Sequence, residues 1–479
     1  MSDKMKFAFN NLGPVARAEM ELGDLTIISG RNNTGKTRIV YALYGFMKAF
    51  TGLVAARAES FCESHFQKVA SLSTADIVAR LRTERRVEWQ VNEDLLLEEQ
   101  GRLIQEVTQE FSDFGISQVF NTSQSEFENA SLEAAFRREL PVGPLSLNIK
   151  KDLDLSIAYD RSTFSVRLSD TAPVGDDIVE PFLTKHSLER LCTFFLLQDP
   201  FERQYRPFIL SSARHSIPLF LNELDYVRSQ VMRAVQQQED GQNGEPAQSS
   251  DPLKNLSRYA LAIHDNIDFA RSISGSAEKH DNMPQDILSG GIEEMMDGRF
   301  TSVNGTLRFT AGGNHSFDIP LHLASSSAWE MSGLYFLLGY FLKGVGLLIV
   351  DEPESHLDAE NQVRLARLFA RIVNSGTKVL ITTHSDFILR EVNNLIMLSS
   401  AHDEDGKEME ELGYEESDKL NLDQIRAYFA KNGGLEPCVM DAFGIEMPVI
   451  DETTEALNRT GSKLAAQIIR KSKMNSDAV

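Results

Sequence analysis

The sequence predicts an α/β fold with a mixed, largely parallel sheet, and two observations support this prediction. Near the start, a short apolar run (Leu25–Ser29) leads through a glycine-rich loop into a segment with helical apolar spacing (Arg38–Phe50). Between about residues 332 and 398, helical segments alternate with short apolar runs. This alternation is typical of parallel strands, because each parallel pair needs a crossover connection and helices then cover both faces of the sheet.

The spacing of apolar residues places the other elements along the chain. In the first part we expect a strand at Met5–Phe9, helices within residues 52–140, a strand pair within 145–168, helices within 178–234, a flexible polar linker at 236–250, helices within 253–296 and a hairpin joining Gly305–Phe309 to Phe317–Leu321. In the last part we expect helices at 332–342, 359–373 and 386–392 that alternate with strands at 347–350, 378–382 and 395–398.

Composition and charge exclude several classes of protein. A chain of 479 residues has room for one large domain with insertions or for two to three smaller domains. Its net charge of −22 opposes a surface designed as a whole to hold nucleic acid, because phosphate neutralisation needs an excess of Lys and Arg. The three cysteines form no CxxC pair, which favours a reducing cytoplasm. We expect no membrane span at Met331–Val350, because Lys343 and two glycines interrupt this apolar run.

Residues 30–37 read GRNNTGKT and match the pattern GxxxxGK[ST] between a predicted strand and a predicted helix. Glycines let backbone N–H groups surround phosphate oxygens, Lys36 can neutralise the β and γ oxygens, and the Thr37 hydroxyl is a hard ligand suited to Mg²⁺. We therefore predict a site for ATP and Mg²⁺. The residues expected at the nucleotide are Gly30, Arg31, Asn32, Asn33, Thr34, Gly35, Lys36, Thr37 and Arg38.

A second motif ends the apolar run Leu347–Val350. Asp351 and Glu352 follow this run directly, at the carboxyl end of a strand, where open α/β sheets bind ligands. We predict that Asp351 holds Mg²⁺ together with Thr37, and that Glu352 polarises the water that attacks the γ-phosphate. Without the phosphate loop, the same two acids would indicate only a strand end and a solvated turn.

His384 follows a further apolar run, 32 residues after Glu352. A single histidine at such a position usually packs or caps a helix. Together with the two preceding motifs, it is predicted to contact the γ-phosphate. We therefore expect Lys36, Glu352 and His384 to be the catalytic residues.

The order of these motifs resembles the head of ATP-binding-cassette ATPases of the AAA family, in the branch that includes SMC and RecF proteins. The resemblance rests on the phosphate loop, on LLIVDEPESHLD at residues 347–358 and on Thr383–Ser385, and it covers about residues 1–50 and 300–400. It implies a P-loop head formed by residues 1–60 and 301–400, a mostly helical insertion at 61–300 and a helical extension at 401–479. It also implies ATP hydrolysis, a D-loop at Ser355–Asp358 and a switch role for His384.

The same resemblance predicts a signature loop ahead of the Asp-Glu strand. Ser325, Ser326 and Ser327 occupy that place, with serines where the family usually has glycines. Alternatively, these serines cap a helix N-terminus. In the family, the signature loop and the D-loop, here including Asp358, close on ATP held by a second subunit. The resemblance therefore implies a homodimer or a higher even oligomer.

A narrower resemblance is to ATPase subunits of bacterial anti-phage systems, PtuA of Septu and AriA of PARIS, with the overcoming-lysogenisation-defect family more distant. It rests on residues 32–37, Leu210–Arg214, Ser325–Ser327 and the tail at 444–452. It implies a separate nuclease effector of the HNH or Toprim type and a phage-derived trigger. Arg214 is then a phosphate or partner contact, or else a surface or salt-bridged arginine.

Two other functions stay open on the sequence alone. A RecF-like repair ATPase would clamp duplex DNA, with the basic stretch at residues 80–86 (Arg80, Arg82, Arg85 and Arg86) as a groove face, although such clusters are more often solvated helix surface. A scaffold would hold ATP with little turnover.

The glutamine that joins metal to domain motion in the family is not placed; Gln118 and Gln198 are candidates. Asp403–Asp405 is read as a solvated turn rather than a nuclease metal cluster.

Overall fold

The structure of the chain, a computed structural model, describes most of its residues. The described residues are 5–61, 74–90, 93–136, 145–150, 153–160, 163–170, 201, 205–217, 259–276, 287–303, 306–312, 317–401, 407–446 and 456–468. Several sequence predictions fall outside these residues, namely those at Cys62, Cys192, Gln198, residues 236–250, Asp403–Asp405 and residues 447–452.

The strands within these residues are named in chain order. They are β1 (Lys6–Leu12), β2 (Val15–Glu21), β3 (Leu25–Gly30), β4 (Arg86–Gln90), β5 (Ser131–Ala135), β6 (Leu145–Lys150), β7 (Leu153–Asp160), β8 (Thr163–Asp170), β9 (Pro207–Leu210), β10 (Gly298–Val303), β11 (Thr306–Ala311), β12 (Asp318–Pro320), β13 (Leu347–Asp351), β14 (Lys378–Thr383), β15 (Ile425–Lys431), β16 (Gly434–Pro437), β17 (Met440–Asp441) and β18 (Gly444–Ile445).

The α-helices are named in the same way. They are α1 (Lys36–Phe61), α2 (Thr74–Glu84), α3 (Glu93–Glu110), α4 (Ile116–Phe120), α5 (Leu261–Ser276), α6 (Ile287–Met296), α7 (Ser326–Phe336), α8 (Ala359–Asn374), α9 (Asp386–Ser400), α10 (Lys407–Glu411) and α11 (residues 456–468). A π-helical turn at Leu337–Phe341 continues α7.

A six-stranded sheet organises the fold, with the strand order β16-β15-β3-β14-β13-β9. Five of these strands run parallel, and β16 pairs antiparallel with β15 at one edge. The register sets Asp351 beside Thr382 and Thr383 beside Ser29. The carboxyl ends of β3, β14, β13 and β9 therefore meet at one edge of the sheet, in agreement with the predicted mixed sheet.

Both faces of this sheet are buried, which explains why its strands are continuous apolar runs. Along β13, Leu347 and Ile349 face a core that contains α1, whereas Leu348 and Val350 face a second core that contains α7, α8 and α9. Successive side chains of a strand point to opposite faces, so each strand contributes to both cores. Aromatic rings fill the first core, where Phe46 makes edge-to-face contacts with its neighbours.

Smaller antiparallel sheets surround this centre in the described chain. One has the order β2-β1-β5, and another has the order β10-β11-β12, in which β11 and β12 form the predicted hairpin. The strand pair predicted within residues 145–168 is part of a larger sheet of four strands, β4-β8-β7-β6. The prediction of helices within residues 52–140 therefore missed β4 and β5, and the helices predicted within 178–234 missed β9.

Two predictions near the end of the chain are wrong. The strand predicted at residues 395–398 is part of α9, where Leu395 and Ile396 continue the buried helical face of Ile388 and Val392. The segment from residue 401 onward, predicted to be helical, supplies β15 and β16 of the central sheet as well as α10 and α11. The domain limits themselves stay a prediction. Within the described chain, no helix is both long enough and apolar enough to cross a membrane.

Candidate nucleotide site

Four neighbouring strand ends supply the side chains of the site. The loop at residues 30–35 follows β3, His384 follows β14, Asp351 ends β13 and is followed by Glu352, and Ser211–Arg214 follow β9. Because these strands are adjacent and parallel, residues far apart in sequence lie at the same edge. The structure therefore brings together the three motifs that the sequence singled out.

The phosphate loop has the backbone that its glycines allow. Gly35 has a φ of 94° and Asn33 a φ of 63°, both in the left-handed region. A Cβ on Gly35 would lie 2.4 Å from Val15 Cγ2, so a larger residue does not fit there. The Thr34 hydroxyl donates to the Arg31 carbonyl at 2.8 Å and closes the loop.

Lys36 lies at the centre of the site. Its Nζ donates to the carbonyls of Gly30 and Arg31, each at 3.0 Å, and lies 3.0 Å from His384 Nε2. Burial lowers the pKa of Lys36, while Glu352 and Asp351 act in the opposite direction. The ammonium group is thus held by its own loop and lies near the carboxylates of Glu352 and Asp351.

Glu352 has an unusual backbone conformation, with a φ of 51°. Its N–H donates to both the carbonyl and the Oγ1 of Thr382, at 3.1 and 3.0 Å. Its Oε1 lies 3.3 Å from His384 Nε2, and its side chain is 36% exposed. Lys36, His384 and Glu352 therefore form a continuous chain of contacts, whereas their catalytic roles stay a prediction.

Asp351 is the buried acid of the site, with no exposed surface. Its Oδ1 accepts hydrogen bonds from Thr382 Oγ1 at 2.5 Å and from Thr37 Oγ1 at 3.2 Å, whereas its Oδ2 has no hydrogen-bond partner in the described chain. Burial raises the pKa of Asp351, opposed by the hydrogen bond from Thr382.

The donor set around Asp351 fits Mg²⁺ held together with phosphate oxygens. A buried carboxylate oxygen without a partner and a neighbouring hydroxyl are hard oxygen ligands. No group of three or more His, Cys, Asp or Glu side chains in the described residues could hold a metal ion. Thr37 and Asp351, together with water and the nucleotide itself, would hold the ion, which is the usual arrangement for Mg²⁺ at phosphate sites.

Glu354 fixes the position of His384, and the sequence analysis did not identify it. Its Oε1 accepts the backbone N–H of His384 at 2.5 Å and the hydroxyl of Thr383 at 3.0 Å. Burial raises the pKa of Glu354. Thr382 was also missed, because its role depends on the register between β13 and β14 rather than on a motif.

Several predicted nucleotide contacts lie at or beyond the rim of the site. Arg31, Asn32 and Asn33 are exposed at the loop. The Arg38 guanidinium lies 5.9 Å from the centre of the Phe127 ring and beside Gly13. Its contact with the nucleotide stays a prediction.

Ser325, one of the predicted signature serines, and Asp358 of the predicted D-loop each cap a helix. Ser325 Oγ accepts the N–H of Ala328 at 3.2 Å at the start of α7, and it lies 2.9 Å from Ser327 Oγ. Asp358 accepts the N–H of Asn361 at 2.9 Å at the start of α8. Of the three serines, Ser325 therefore caps the helix of its own chain, as the alternative interpretation expected. Any contact of Ser326 or Ser327 with a second subunit stays a prediction.

Arg214 is buried rather than on the surface, and it forms an ion pair with Glu330 of α7. The sequence left open a phosphate or partner contact and a surface or salt-bridged arginine. The geometry agrees with a salt-bridged arginine, and this one lies inside the protein rather than at its surface. Gln118 is exposed on α4, and no described contact joins it to the site.

A family comparison agrees with this arrangement. Residues 189–390 match the family described as "AAA domain, putative AbiEii toxin, Type IV TA system". The matched segment contains the ends of β9, β13 and β14, with Asp351, Glu352 and His384, and the phosphate loop lies before it. The fold is that of a P-loop ATPase of the AAA and ABC type.

Comparison with solved structures gives heads of SMC proteins at low sequence identity. The SMC head domain from Thermotoga maritima is 12% identical, with a TM-score of 0.32, and the alignment covers 92% of this chain and 100% of that one. The Smc head with an extended coiled coil bound to the C-terminal domain of ScpA, from Pyrococcus furiosus, is 12% identical, with a TM-score of 0.35 and coverage of 95% and 99%. Among curated proteins no match is found.

Proposed function

We propose that this chain binds ATP with Mg²⁺ and hydrolyses it to ADP and phosphate. The observation that carries the proposal is the contact chain from Lys36 Nζ through His384 Nε2 to Glu352 Oε1, with separations of 3.0 and 3.3 Å. These groups come from three different strand ends, and a purely structural role would not explain why a partly exposed acid, a histidine and a buried lysine converge beside a phosphate loop.

Each residue has a separate task in this proposal. Backbone N–H groups of the loop and the Lys36 ammonium bind the phosphate oxygens. Thr37 and Asp351 would hold Mg²⁺, which supplies positive charge to the phosphate oxygens when it is bound. Glu352 accepts a proton from the attacking water, and His384, fixed by Glu354, lies where the terminal phosphate is expected.

Nucleotide binding is tested by Lys36→Ala. Removal of the ammonium deletes charge-assisted hydrogen bonds, so we expect the Kd for ATP to rise by about 10- to 100-fold, measured by calorimetry. Lys48→Ala is the matched control, because Lys48 lies on the same helix and pairs with Asp265 on the surface. Equal affinity in wild type and Lys36→Ala would contradict the proposal.

Hydrolysis is tested by Glu352→Gln. The amide cannot accept the proton, so we expect ATP binding to be retained while kcat falls by about 100- to 10,000-fold, measured by phosphate release. Glu360→Gln is the control, since Glu360 is an exposed acid in the first turn of α8 that pairs with Arg364. A wild type without turnover, indistinguishable from Glu352→Gln, would support an ATP-bound scaffold instead.

We propose further that the ATPase associates with itself and controls a separate nuclease effector, of the HNH or Toprim type, in anti-phage defence. This proposal is supported by the motif resemblance at residues 32–37, Leu210–Arg214 and Ser325–Ser327, and by the toxin description of the matched family. Phage plating on cells that carry the wild type or Lys36→Ala, with the neighbouring genes, tests it. Protection that does not depend on Lys36, or the lack of any co-purifying nuclease, would contradict it.

DNA binding stays an alternative function, and the ATPase assay on the same purified protein can test it. Arg86 pairs with Glu88, and Arg80 is exposed on α2, as expected for a solvated surface. DNA-stimulated hydrolysis with a steep salt dependence would favour a RecF-like clamp. We expect little stimulation, because the net charge of −22 opposes contact with phosphates.

A further inference from the structure

Arg214 contacts the backbone on both sides of the bond between the two site acids. Its Nη1 donates to the carbonyl of Asp351 at 2.6 Å and to that of Ser211 at 2.9 Å, and its Nη2 donates to the carbonyl of Glu352 at 3.1 Å. The side chain is only 6% exposed. One planar guanidinium therefore links the ends of β9 and β13, a geometry that a lysine ammonium cannot reproduce.

The conformation of Glu352 needs such support. A non-glycine residue in the left-handed region costs about 1 kcal/mol or more and persists only where its surroundings hold it. Thr382 binds the N–H of Glu352, and Arg214 binds its carbonyl. Both peptide groups that flank the Cα of Glu352 are thus fixed, and in this conformation its carboxylate reaches His384.

Glu330 determines where Arg214 lies. Its carboxylate, on the buried side of α7, forms an ion pair with Arg214 and is only 1% exposed. Burial raises the pKa of Glu330 to about 7, with Arg214 acting in the opposite direction and with Glu354 and Glu352 adding to the rise. The helix that carries Glu330 begins at the serine-rich end capped by Ser325.

We propose that Arg214 is a positioning residue for Glu352, and that its ion pair with Glu330 makes the placement of this acid depend on the position of α7. The inference rests on the proposed ATP hydrolysis. A second copy of the chain that docks at the serine end of α7 then changes turnover through Glu330 and Arg214, without any contact of its own with Glu352.

The test separates binding from turnover. In Arg214→Lys the charge is kept but the two-pronged contact is lost, so we expect kcat to fall by roughly 10- to 100-fold while the Kd for ATP changes less than about 3-fold. Glu330→Gln removes the charge that holds Arg214 to α7 but leaves the guanidinium in place, so we expect a smaller fall in kcat, by about 3- to 10-fold, with the Kd for ATP again within about 3-fold. Calorimetry gives the Kd, and phosphate release gives kcat.

Two further variants separate positioning from folding. Arg214→Met combined with Glu330→Met removes both buried charges, a change that proteins often tolerate, and we expect a folded chain that binds ATP but turns over slowly. Arg371→Lys is the matched control, because Arg371, near the end of α8, pairs with buried Asp418 away from the site. Its kcat is expected to stay at the wild-type value.

The outcomes distinguish this inference from the proposed function. If the wild type hydrolyses ATP and Arg214→Lys or the double Met variant does so at the same rate, Arg214 has no positioning role. If Arg371→Lys loses as much turnover as Arg214→Lys, the effect is a general loss of stability and the inference is wrong. If the wild type itself does not hydrolyse ATP, both the proposed function and this inference are overturned.

Discussion

Glu330 shows how burial at a single residue sets a pH dependence. When folding raises the pKa of an acid above its ordinary value of 4.5, the acid takes up a proton on folding at any pH between the two pKa values. For Glu330, with a pKa of about 7, this contribution to stability is fully present below about pH 4.5. It is lost as the pH rises through 7, because the buried carboxylate must then carry its charge.

Wild type and Glu330→Gln should therefore differ in stability in a pH-dependent way. We expect the free energy of unfolding of the wild type, relative to that of Glu330→Gln, to fall by about 2 kcal/mol between about pH 5.5 and pH 8, because the amide does not titrate. Urea unfolding at several pH values measures this difference. Glu360→Gln, which changes an exposed acid, should give a curve parallel to that of the wild type. A Glu330→Gln curve that is also parallel would contradict the assigned pKa direction.

At the scale of single elements, the start of α7 has one serine that caps the helix and a neighbouring serine that is free of this capping role. Ser325 accepts the N–H of Ala328, whereas Ser326, one residue later, is exposed in the first turn. We expect Ser325→Ala to lower the free energy of unfolding by about 1 kcal/mol, and Ser326→Ala to leave it within about 0.5 kcal/mol. Chemical denaturation of the two variants measures the difference. Equal losses would show that the cap is not specific to Ser325.

The elements predicted correctly are those with a local signal. The apolar runs of β3, β13 and β14 are short, buried on both faces and bounded by polar residues or glycine, so the sequence alone identifies them. The strand predicted at residues 395–398 was wrong because its apolar residues fit the helical period that starts at Ile388. The strand β15 was missed because its partner, β3, lies about 400 residues earlier in the chain.

The residues of the site also divide into those with a local sequence signal and those that depend on distant parts of the chain. Lys36, Asp351, Glu352 and His384 follow strands within recognisable motifs, and the structure brings them together as predicted. Thr382 binds Asp351 only because of the sheet register. Glu330 could not be identified in advance, because an acid inside an apolar helix gives no sign of its partner until the fold brings Arg214 to it.

At the scale of the whole molecule, the described chain contains a phosphate loop and a serine-capped helix as two separate features. Both Ser325 and Asp358 already act as caps within their own chain, so a role toward a nucleotide would use the serines that follow Ser325, namely exposed Ser326 and half-buried Ser327. In a symmetric dimer, each composite site takes its loop from one copy and its serines from the other. This arrangement predicts that two different inactive variants can complement each other.

A mixing experiment tests this arrangement. Lys36→Ala and the double variant Ser326→Ala with Ser327→Ala should each have low ATPase activity alone. After subunit exchange in equal amounts, half of the dimers are mixed and each mixed dimer has one intact composite site, so about a quarter of the wild-type turnover should return. Mixing Lys36→Ala with Glu352→Gln is the control, because both changes lie on the loop-bearing side and a mixed dimer then has no intact site. No recovery in either mixture would show that the serines act within their own chain, and full activity of the double serine variant alone would show that they have no role in turnover.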